Sequence, residues 1–463
     1  MKNREIAFIK KAIYWEEKRN LFEWKINGIK VWEYLRLGFF ELLRNYIIKS
    51  DYWGHSYYIK SRENQFPVSF MGELNKLKIP QKDILVVNYG RRVEMEGVNY
   101  STFIDGLVDN FDYSYAVIES REDSGKNIIT PNIFIYSHEN ISCCNKENYK
   151  YDEMTQRFVR MVEKDWKVEM LEKDKEYIQD FVRSIVNNYF RYLLFYSMVL
   201  HRCKPKVLIV VGALLQQNKY MIEAAHRMNI PVIEYQHGVE SELCCARWYA
   251  KMYEQKSIPD YNWSYLREFN RMGKNEKLYN KNIPIGNVFH EKQRGGIEKR
   301  KDGKTILFLS DTYKISGLDK LAVELKKRMP DYKVIFKLHP GEEDWRYKYK
   351  LLVGSGVYVR GVGGDIKDIS YYINKCDCVV GTASTALAEA IDYGKNAYIY
   401  NNADQSIDSK YLYENGYAEL FDNIDELTDM IKNKKELKHV LYERNPVRRA
   451  NLFISYIIKK YGR

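Results

Sequence analysis

A histidine that ends a run of β-formers and is followed at once by Pro-Gly marks a place where chemistry could be done. In KVIFKLHPGEEDW, residues 333–345, Val334, Ile335 and Phe336 deliver Lys337 and His339 to a strand end, and Pro340 fixes the direction of the exit. Lys337 and His339 are two apart, so they share one face of the strand, and an ammonium beside an imidazole can hold phosphate oxygens. The plainer alternative is a strand-end histidine bonded to backbone. A second stretch, CDCVVGTASTALAEAIDYG over 376–394, ends a strand at Gly381 and opens a helix at Ser384 and Thr385. Free backbone N–H groups, the positive end of the helix dipole and two hydroxyls can together receive an anion, although Ser and Thr are also ordinary N-caps. Glu389, one turn further in, can accept hydrogen bonds from ribose hydroxyls. Taken together, the two stretches describe a pocket for a nucleoside mono- or diphosphate.

The first half of the chain carries its own candidates. PVIEYQHGVE, 231–240, ends a strand at Gln236 and places His237, followed by the permissive Gly238, at the mouth of a sheet. An imidazole there can take a proton from an acceptor hydroxyl or contact a donor phosphate; a structural histidine is the alternative. In NYGRRVEMEG, Arg91 and Arg92 follow a strand, where a guanidinium fork can bind carboxylate or phosphate, and exposed loop arginines are otherwise solvated. Asp105, near the start of the next helical stretch, is a second candidate base.

These residues need elements to hold them. Strands are expected at 83–90, 113–120, 206–213 and 231–236, with helices at 101–111, from about 151 to 201 and at 218–229. Continuous Val, Ile and Leu strands alternating with helices imply a parallel sheet covered on both faces. After the polar, Gly-containing stretch 287–304, the alternation repeats through strands at 305–310, 332–338, 357–361, 376–381 and 396–400. Ligands of such sheets lie outside the carboxyl ends of strands, where the motifs above fall. Before all this, Ile13, Trp15 and Phe22, then Ile29, Trp32, Leu35, Phe39 and Leu42, recur at helical spacing on either side of Asn27-Gly28. The expectation is two helices capping the next domain; their interleaved Lys, Arg and aromatics would also suit an anionic bilayer surface. The expected domains are a helical region at 1–60, a Rossmann-like acceptor domain at 61–290, a Rossmann-like donor domain at 291–440 and a helix at 441–463 packing back.

Composition narrows the class. The 463-residue chain has a mean hydropathy of -0.52 and no apolar run near membrane-spanning length. Charges interrupt the short apolar stretch of MKNREIAFIKK, so no secretory signal is read and a cytoplasmic location is expected. The seven cysteines fit neither a zinc pattern nor a disulfide framework. The net charge of +12 would serve nucleic acid, anionic lipid or a phosphorylated substrate. Nucleic acid is excluded, because no zinc finger or RNP-like segment is present and the lysines are spread along the chain instead of gathered in a tail.

The ordered set LVVNYGRRVEMEGVNYSTFIDGLVD, IEAAHRMNIPVIEYQHGV, IPIGNV, KLHPGEEDW and VVGTASTALAEAIDYGK resembles bacterial capsule and surface-polysaccharide glycosyltransferases of the GT-B fold. These are related at a distance to bacterial sialyltransferases, Kdo transferases and CDP-glycerol glycerophosphotransferases. The resemblance covers residues 80 to 400 and implies two Rossmann-like domains facing a cleft. It implies donor-phosphate contacts from His339-Pro340 and from Ser384 and Thr385, with Lys337 and Glu389 alongside. It implies a catalytic histidine at His237, with acceptor contacts from Arg91, Arg92, Gln236 and Gly238. The sialyltransferases use an acidic motif ending in Gly, of which Ile104-Asp105-Gly106 keeps one acid, so the base lies between His237 and Asp105. After the QHG the chain reads VESELCCARWY, which departs from the family pattern. With no DxD signature or metal cluster in the sequence, transfer without a metal or other cofactor is expected. The partners implied are a nucleotide-sugar donor, CMP ahead of UDP and GDP, and a lipid-linked or oligosaccharide acceptor. Peripheral association with the inner face of the membrane is a further expectation. The alternatives are a polyol-phosphate transferase, a UDP-sugar 2-epimerase-like enzyme and a non-catalytic scaffold.

Overall fold

The computed structural model describes residues 2–48, 70–89, 92–95, 97–120, 128–137, 141, 150–238, 247–251, 253, 255–266, 277–278, 281–294, 304–310, 317–339, 342, 348–361, 368–401 and 409–462. Arg91 and Pro340 lie outside the described residues.

Two parallel sheets carry the fold. The first comprises β1 (Ile84–Val87), β2 (Tyr115–Ser120), β3 (Ile133–Tyr136), β4 (Val207–Val211), β5 (Val232–Tyr235), β6 (Tyr261–Ser264) and β7 (Lys281–Pro284). Their spatial order is β7-β6-β5-β4-β1-β2-β3, and every pairing is parallel. The second comprises β8 (Thr305–Leu309), β9 (Lys333–Lys337), β10 (Tyr358–Arg360), β11 (Cys378–Gly381), β12 (Asn396–Tyr400) and β13 (Glu419–Phe421). Its order is β10-β9-β8-β11-β12-β13, again parallel throughout. Both sheets wind outward from a central pair, β1/β4 in one and β8/β11 in the other. Each therefore has its switch point, and its natural ligand crevice, between those two strands. The central strands are buried along their whole length, which is why they read as unbroken Val, Ile and Leu.

The helices used below are α1 (Lys2–Lys18), α2 (Val31–Ile48), α3 (Lys150–Trp166), α4 (Glu172–Cys203), α5 (Gln216–Arg227), α6 (Val288–Arg294), α7 (Ile369–Lys375), α8 (Thr385–Asp392), α9 (Ile424–Asn433) and α10 (Pro446–Lys460). The long helical stretch after residue 150 is two helices, because Lys167 turns left-handed with φ 54 between α3 and α4. Residues 101–111, expected as a helix, form turns ending in a short 3-10 segment at Val108–Asn110. Gly106 takes φ 80, and the Asp105 carboxylate accepts the Ser101 N–H at 2.6 Å, so the chain is tied into a turn before a helix can propagate. α10 lies on the first domain: Asn451 accepts from the Asp112 N–H and donates to the Asn110 carbonyl, and Tyr113 donates to Ser455.

α1 and α2 are joined by a small hairpin in which Asn27 and Gly28 take φ 50 and 80, the two-residue turn that Asn-Gly favours. Most aromatic residues of this region point inward, Tyr14 at 48% exposure being an exception. Trp32 and Phe39 are fully buried, and Trp15 stacks on Phe39 at 6.0 Å, in a core shared with α4 and α5. Polar groups lock the cap on. Glu16, with no exposed surface, accepts from Arg36 Nε at 2.7 Å and from Trp32 Nε1 at 2.9 Å, while Arg36 also donates to the Trp248 carbonyl at 2.6 Å. Tyr34 donates to Glu223 at 2.5 Å, and Lys219 donates to the Glu33 carbonyl at 2.8 Å. The cap reading of these helices thus describes their packing. Among the described residues no helix is long and apolar enough to cross a membrane. Glu16→Ala would leave Arg36 as a buried, uncompensated cation, a loss worth about 3–5 kcal/mol. Urea unfolding followed by tryptophan fluorescence should show it as a lower midpoint with an unchanged slope.

Candidate active site between the two domains

The carboxyl ends of the two sheets meet at a narrow crevice. The first domain contributes Thr102, Phe103, His237 and Tyr265; the connector into the second domain contributes Asn287, Phe289 and His290. Across from them stand Asp368 and Ile369 at the start of α7, then Thr385 and Glu389 on α8, with Tyr442 from the chain's return to the first domain. The lining mixes aromatic walls with a few polar groups, as the linings of small-molecule sites do.

His237 follows β5 and is exposed, with the Tyr89 ring edge-on at 6.1 Å. Beside it, a Cβ added at Gly238 would lie 3.5 Å from Thr385 Oγ1, so the two motifs face each other at contact distance across the domain boundary. On the opposite wall, Ser384 is extended and its hydroxyl accepts the Ala386 N–H at 3.2 Å, which makes it the N-cap of α8. Thr385 and Glu389, one turn apart on α8, are the residues of that helix that reach the cavity. The sequence pairing of Ser384 with Thr385 thus splits into a capping residue and a lining residue.

Other candidates are placed elsewhere. Lys337 and His339 end β9, two strands from β11, and do not line this cavity. Adjacent strands are about 4.8 Å apart, so roughly 10 Å separates the two strand ends. Lys337 donates to the Leu338 carbonyl at 3.0 Å and lies 5.8 Å from the Tyr372 ring of α7. The backbone N–H of His339 is held at 2.8 Å by Ser310 Oγ and at 2.9 Å by Glu342. Glu342, which the sequence reading passed over, is the hub of this turn: it also accepts from Lys348 at 2.6 Å and Tyr349 at 2.7 Å, and from the Ser310 hydroxyl. Burial alone would raise the Glu342 pKa, but these donors outweigh it and hold the carboxyl below its ordinary value.

Arg92 is not a solvated loop arginine. Its side chain is 5% exposed and its fork is closed on Glu119, with Nη2 at 2.6 Å and Nε at 3.0 Å, so it braces the hairpin after β1 and does not offer itself to an acceptor. Gln236 is fully buried. Its Oε1 accepts the Tyr265 N–H at 3.0 Å and its carbonyl accepts the Tyr265 hydroxyl, so it sets the wall residue Tyr265 without touching the cavity. Asp105 lies under the cavity wall formed by Thr102 and Phe103, 1% exposed, with Oδ1 lacking a hydrogen-bond partner. Burial pushes its pKa up to about 6, against the pull of the Ser101 N–H and of Arg92, which is 3.9 Å away. Among the described residues no group of three His, Cys, Asp or Glu side chains is gathered to hold a metal ion.

The cavity is framed by a knot that sequence reading missed. Asp392, at the end of α8, accepts from His290 at 3.2 Å, from Arg444 Nη2 at 2.9 Å and Nη1 at 2.5 Å, and from the N–H groups of Leu441 and Tyr442, each at 2.9 Å. His290 is stacked on Tyr393 and packed against Tyr442, with ring centres 4.3 Å away in both cases. Gly286 of the IPIGNV motif has a local reason: its φ is 91, and a Cβ there would fall 2.2 Å from the Glu443 carbonyl oxygen.

No family model and no curated protein sequence matches the chain. Solved structures do resemble it in shape. A protein described as a UDP-N-acetylglucosamine 2-epimerase from Listeria monocytogenes superposes with a TM-score of 0.52 at 13% identity, covering 82% of this chain and 97% of that one. MurG from Acinetobacter baumannii gives 0.42 at 12% identity over 82% and 98%. The Streptomyces glycosyltransferase SsfS6 gives 0.37 at 12% identity over 82% and 98%. The first of these agrees with the sheet orders above in defining the architecture: two Rossmann-like domains facing a cleft, the GT-B fold with an N-terminal helical extension.

The pH dependence of stability tests the setting of Asp105. A carboxyl raised in the fold to about 6 from 3.8 favours its protonated form, so its contribution is fully present below pH 3.8 and is lost as pH rises through 6. Asp105→Asn keeps an acceptor for Ser101 without the charge. The stability difference between the variant and the parent chain should move in favour of the variant by about 2–3 kcal/mol between pH 4 and 7. A difference that stays flat in urea titrations across that range would contradict the buried setting.

Proposed function

We propose that the chain is a glycosyltransferase that moves a sugar from a nucleotide-activated donor to a hydroxyl of a growing bacterial surface polysaccharide, at the inner face of the membrane. One observation carries this reading: His237 of the first domain faces Thr385 and Glu389 of the second across a single cavity, each at the carboxyl end of its own sheet. The donor phosphate is received at the start of α8 by Thr385 and the helix N-terminus, and Glu389 one turn in accepts from the ribose hydroxyls. Lys337 and His339, roughly 10 Å along the sheet edge, lie within the span of a nucleotide diphosphate or an extended nucleotide sugar.

In the proposed reaction the acceptor oxygen attacks the anomeric carbon, and the bond from that carbon to the donor phosphate breaks with its electron pair leaving on phosphate. His237 takes the acceptor proton. Its exposure in the cavity favours it over Asp105, whose carboxylate is enclosed. The developing phosphate charge is met by the dipole end of α8, so no metal is called upon. Inversion at the anomeric carbon is the preferred course. On the family resemblance CMP-sugar is placed ahead of UDP- and GDP-sugar.

The likeness to a UDP-N-acetylglucosamine 2-epimerase supports a second reading, in which a UDP-sugar is epimerised with no acceptor. A polyol-phosphate transferase is the third. Thermal-shift measurements with CMP, UDP, GDP and their sugars separate the donors, since a ligand at about 100 times its Kd stabilises the folded state by about 2.7 kcal/mol. Thr385→Val should weaken the best nucleotide by about 10-fold or more, the loss of one hydrogen bond to a charged group. His237→Ala should keep nucleotide affinity and lose about 10²–10⁴ in transfer rate. Turnover of a UDP-sugar without acceptor would select the epimerase, and CMP release with phosphate incorporated into product the polyol-phosphate transferase. Unchanged nucleotide affinity in Thr385→Val would remove the donor site from this cavity.

A further inference from the structure

The N-terminal helices, whose mixed basic and aromatic residues would suit a bilayer, spend most of their large aromatics on the protein core and leave Tyr14 outside it. Lysines and acids are both spread along the chain, but their balance is locally uneven: after 401–431, with eight acids against one Lys, residues 432–460 carry nine Lys and Arg against two Glu, a net +7. This stretch runs over the surface of both domains. Lys432, Lys434, Lys435 and Lys438 are exposed along the second domain, next to Val440 at 54% exposure. The chain then crosses at 441–445 and becomes α10 on the first domain.

α10 has two faces. Ala450, Ile454, Ile457 and Ile458 are buried against the first domain and the core it shares with the second. Arg448, Leu452, Tyr456 and Lys459 follow one another at four-, four- and three-residue steps on the outward face, with Leu452 62% and Tyr456 53% exposed. The helix contains no Asp or Glu. Some of its charge is used internally: Arg449 is bonded to Glu443 at 2.9 Å and Lys460 to the Tyr261 hydroxyl at 2.6 Å. On the second domain Lys435 stands 3.9 Å from Glu419, and Lys438 lies over the Tyr417 ring. Exposed carboxylates also lie along the strip: Asp109 and Asp112 near the helix, Glu436 among the lysines and Asp429 on α9 just before them. Cations outnumber them on this surface, which has an apolar and aromatic crest.

We propose that this strip docks on an anionic lipid bilayer, with α10 in the plane of the interface, Leu452 and Tyr456 among the headgroups, and Arg448, Lys459 and the 432–438 lysines facing anionic lipid. Charge complementarity selects that occupant, and the exposed apolar side chains on a charged helix are what a headgroup layer can bury. The placement also has a use. α10 begins beside Glu443, whose N–H is bonded to the Tyr265 carbonyl at 2.9 Å, and Tyr265 and Tyr442 are walls of the cavity. The docked strip therefore ends at the cleft, where a lipid-linked acceptor would enter. That use rests on the transferase reading; the docking does not.

The test is co-sedimentation of the full chain with vesicles of phosphatidylcholine alone and with about one third phosphatidylglycerol. Binding to the anionic vesicles should be at least about 10-fold tighter and should fall as salt shortens the screening length from about 10 Å at 0.1 M to about 3 Å at 1 M. Leu452→Glu with Tyr456→Glu, and separately Lys432→Glu with Lys434→Glu, should each weaken it about 10-fold while the nucleotide thermal shift stays as in the parent. The control is Arg4→Glu with Lys10→Glu on α1, which should leave binding unchanged. Equal binding to both vesicle types, equal loss in the α1 control, or binding of single-stranded RNA in place of vesicles would overturn the proposal. Vesicle binding that persists when no nucleotide stabilises the chain would count against the transferase reading alone.

Discussion

One buried carboxylate sets the geometry on which the cleft depends. Asp392 has no exposed side-chain surface, and an uncompensated charge in that position would cost several kcal/mol. Its compensation comes from separate parts of the chain: His290 on the connector, and Arg444 with the N–H groups of Leu441 and Tyr442 on the return strand. Burial drives the carboxyl toward protonation, yet the hydrogen bonds from His290, Arg444 and Tyr442 outweigh it and hold the pKa well below the usual carboxylate range. Burial likewise lowers the pKa of His290 against the pull of its partner. Separating the domains would expose or strand all of these groups together. The relative placement of His237 and Thr385 is therefore a consequence of charge satisfaction several residues away, reinforced by the absence of a Cβ at Gly286.

That dependence explains the division between what could be read from the sequence and what could not. Unbroken apolar runs identified β4, β5, β8, β9 and β11 to within one or two residues and β1 to within three, because strands covered on both faces have no polar side to disguise them. The edge strands β3, β7 and β13, and β6 beside β7, escaped. β6 reads Tyr-Asn-Trp-Ser and β7 Lys-Asn-Ile-Pro, mixtures that a strand tolerates when its neighbours or loops supply the cover. The segment 101–111 failed differently: its spacing fits a helix, but a glycine at positive φ and an aspartate bonding back to the backbone gave the chain a closer alternative.

The site shows the same limit. The rule that ligands gather at strand ends drew attention to His237, Lys337, His339 and Thr385, which lie at or a few residues past the ends of β5, β9 and β11. It could not say which ends are neighbours, since that is fixed by sheet order, and β8 stands between β9 and β11. Nor does a residue type reveal its obligations. Arg92 and Gln236 look like ligand-binding groups in the sequence, whereas Glu119 and Tyr265 already occupy them. Glu342 is one of three consecutive acids in the sequence, yet four side-chain and backbone donors converge on it. Occupied polar groups can be told from available ones only when their partners, up to 32 residues distant in these cases, are in place.

The two amphipathic ends of the chain carry this argument to its last step. Periodicity says that one helical face is apolar; it does not say what covers it. In α1 and α2 the covering is internal, and the bonds Tyr34–Glu223, Lys219–Glu33 and Arg36–Trp248 commit the helices to it, because moving the cap away would strand the buried Glu223 and Lys219 of α5 without these partners. α10 meets the same requirement with its inner face of Ala450, Ile454, Ile457 and Ile458, and then continues the pattern outward with Leu452 and Tyr456. An apolar position beyond what the core needs, on a helix without a single acid, has no account in folding. Its physical rationale has to be sought in what the surface meets.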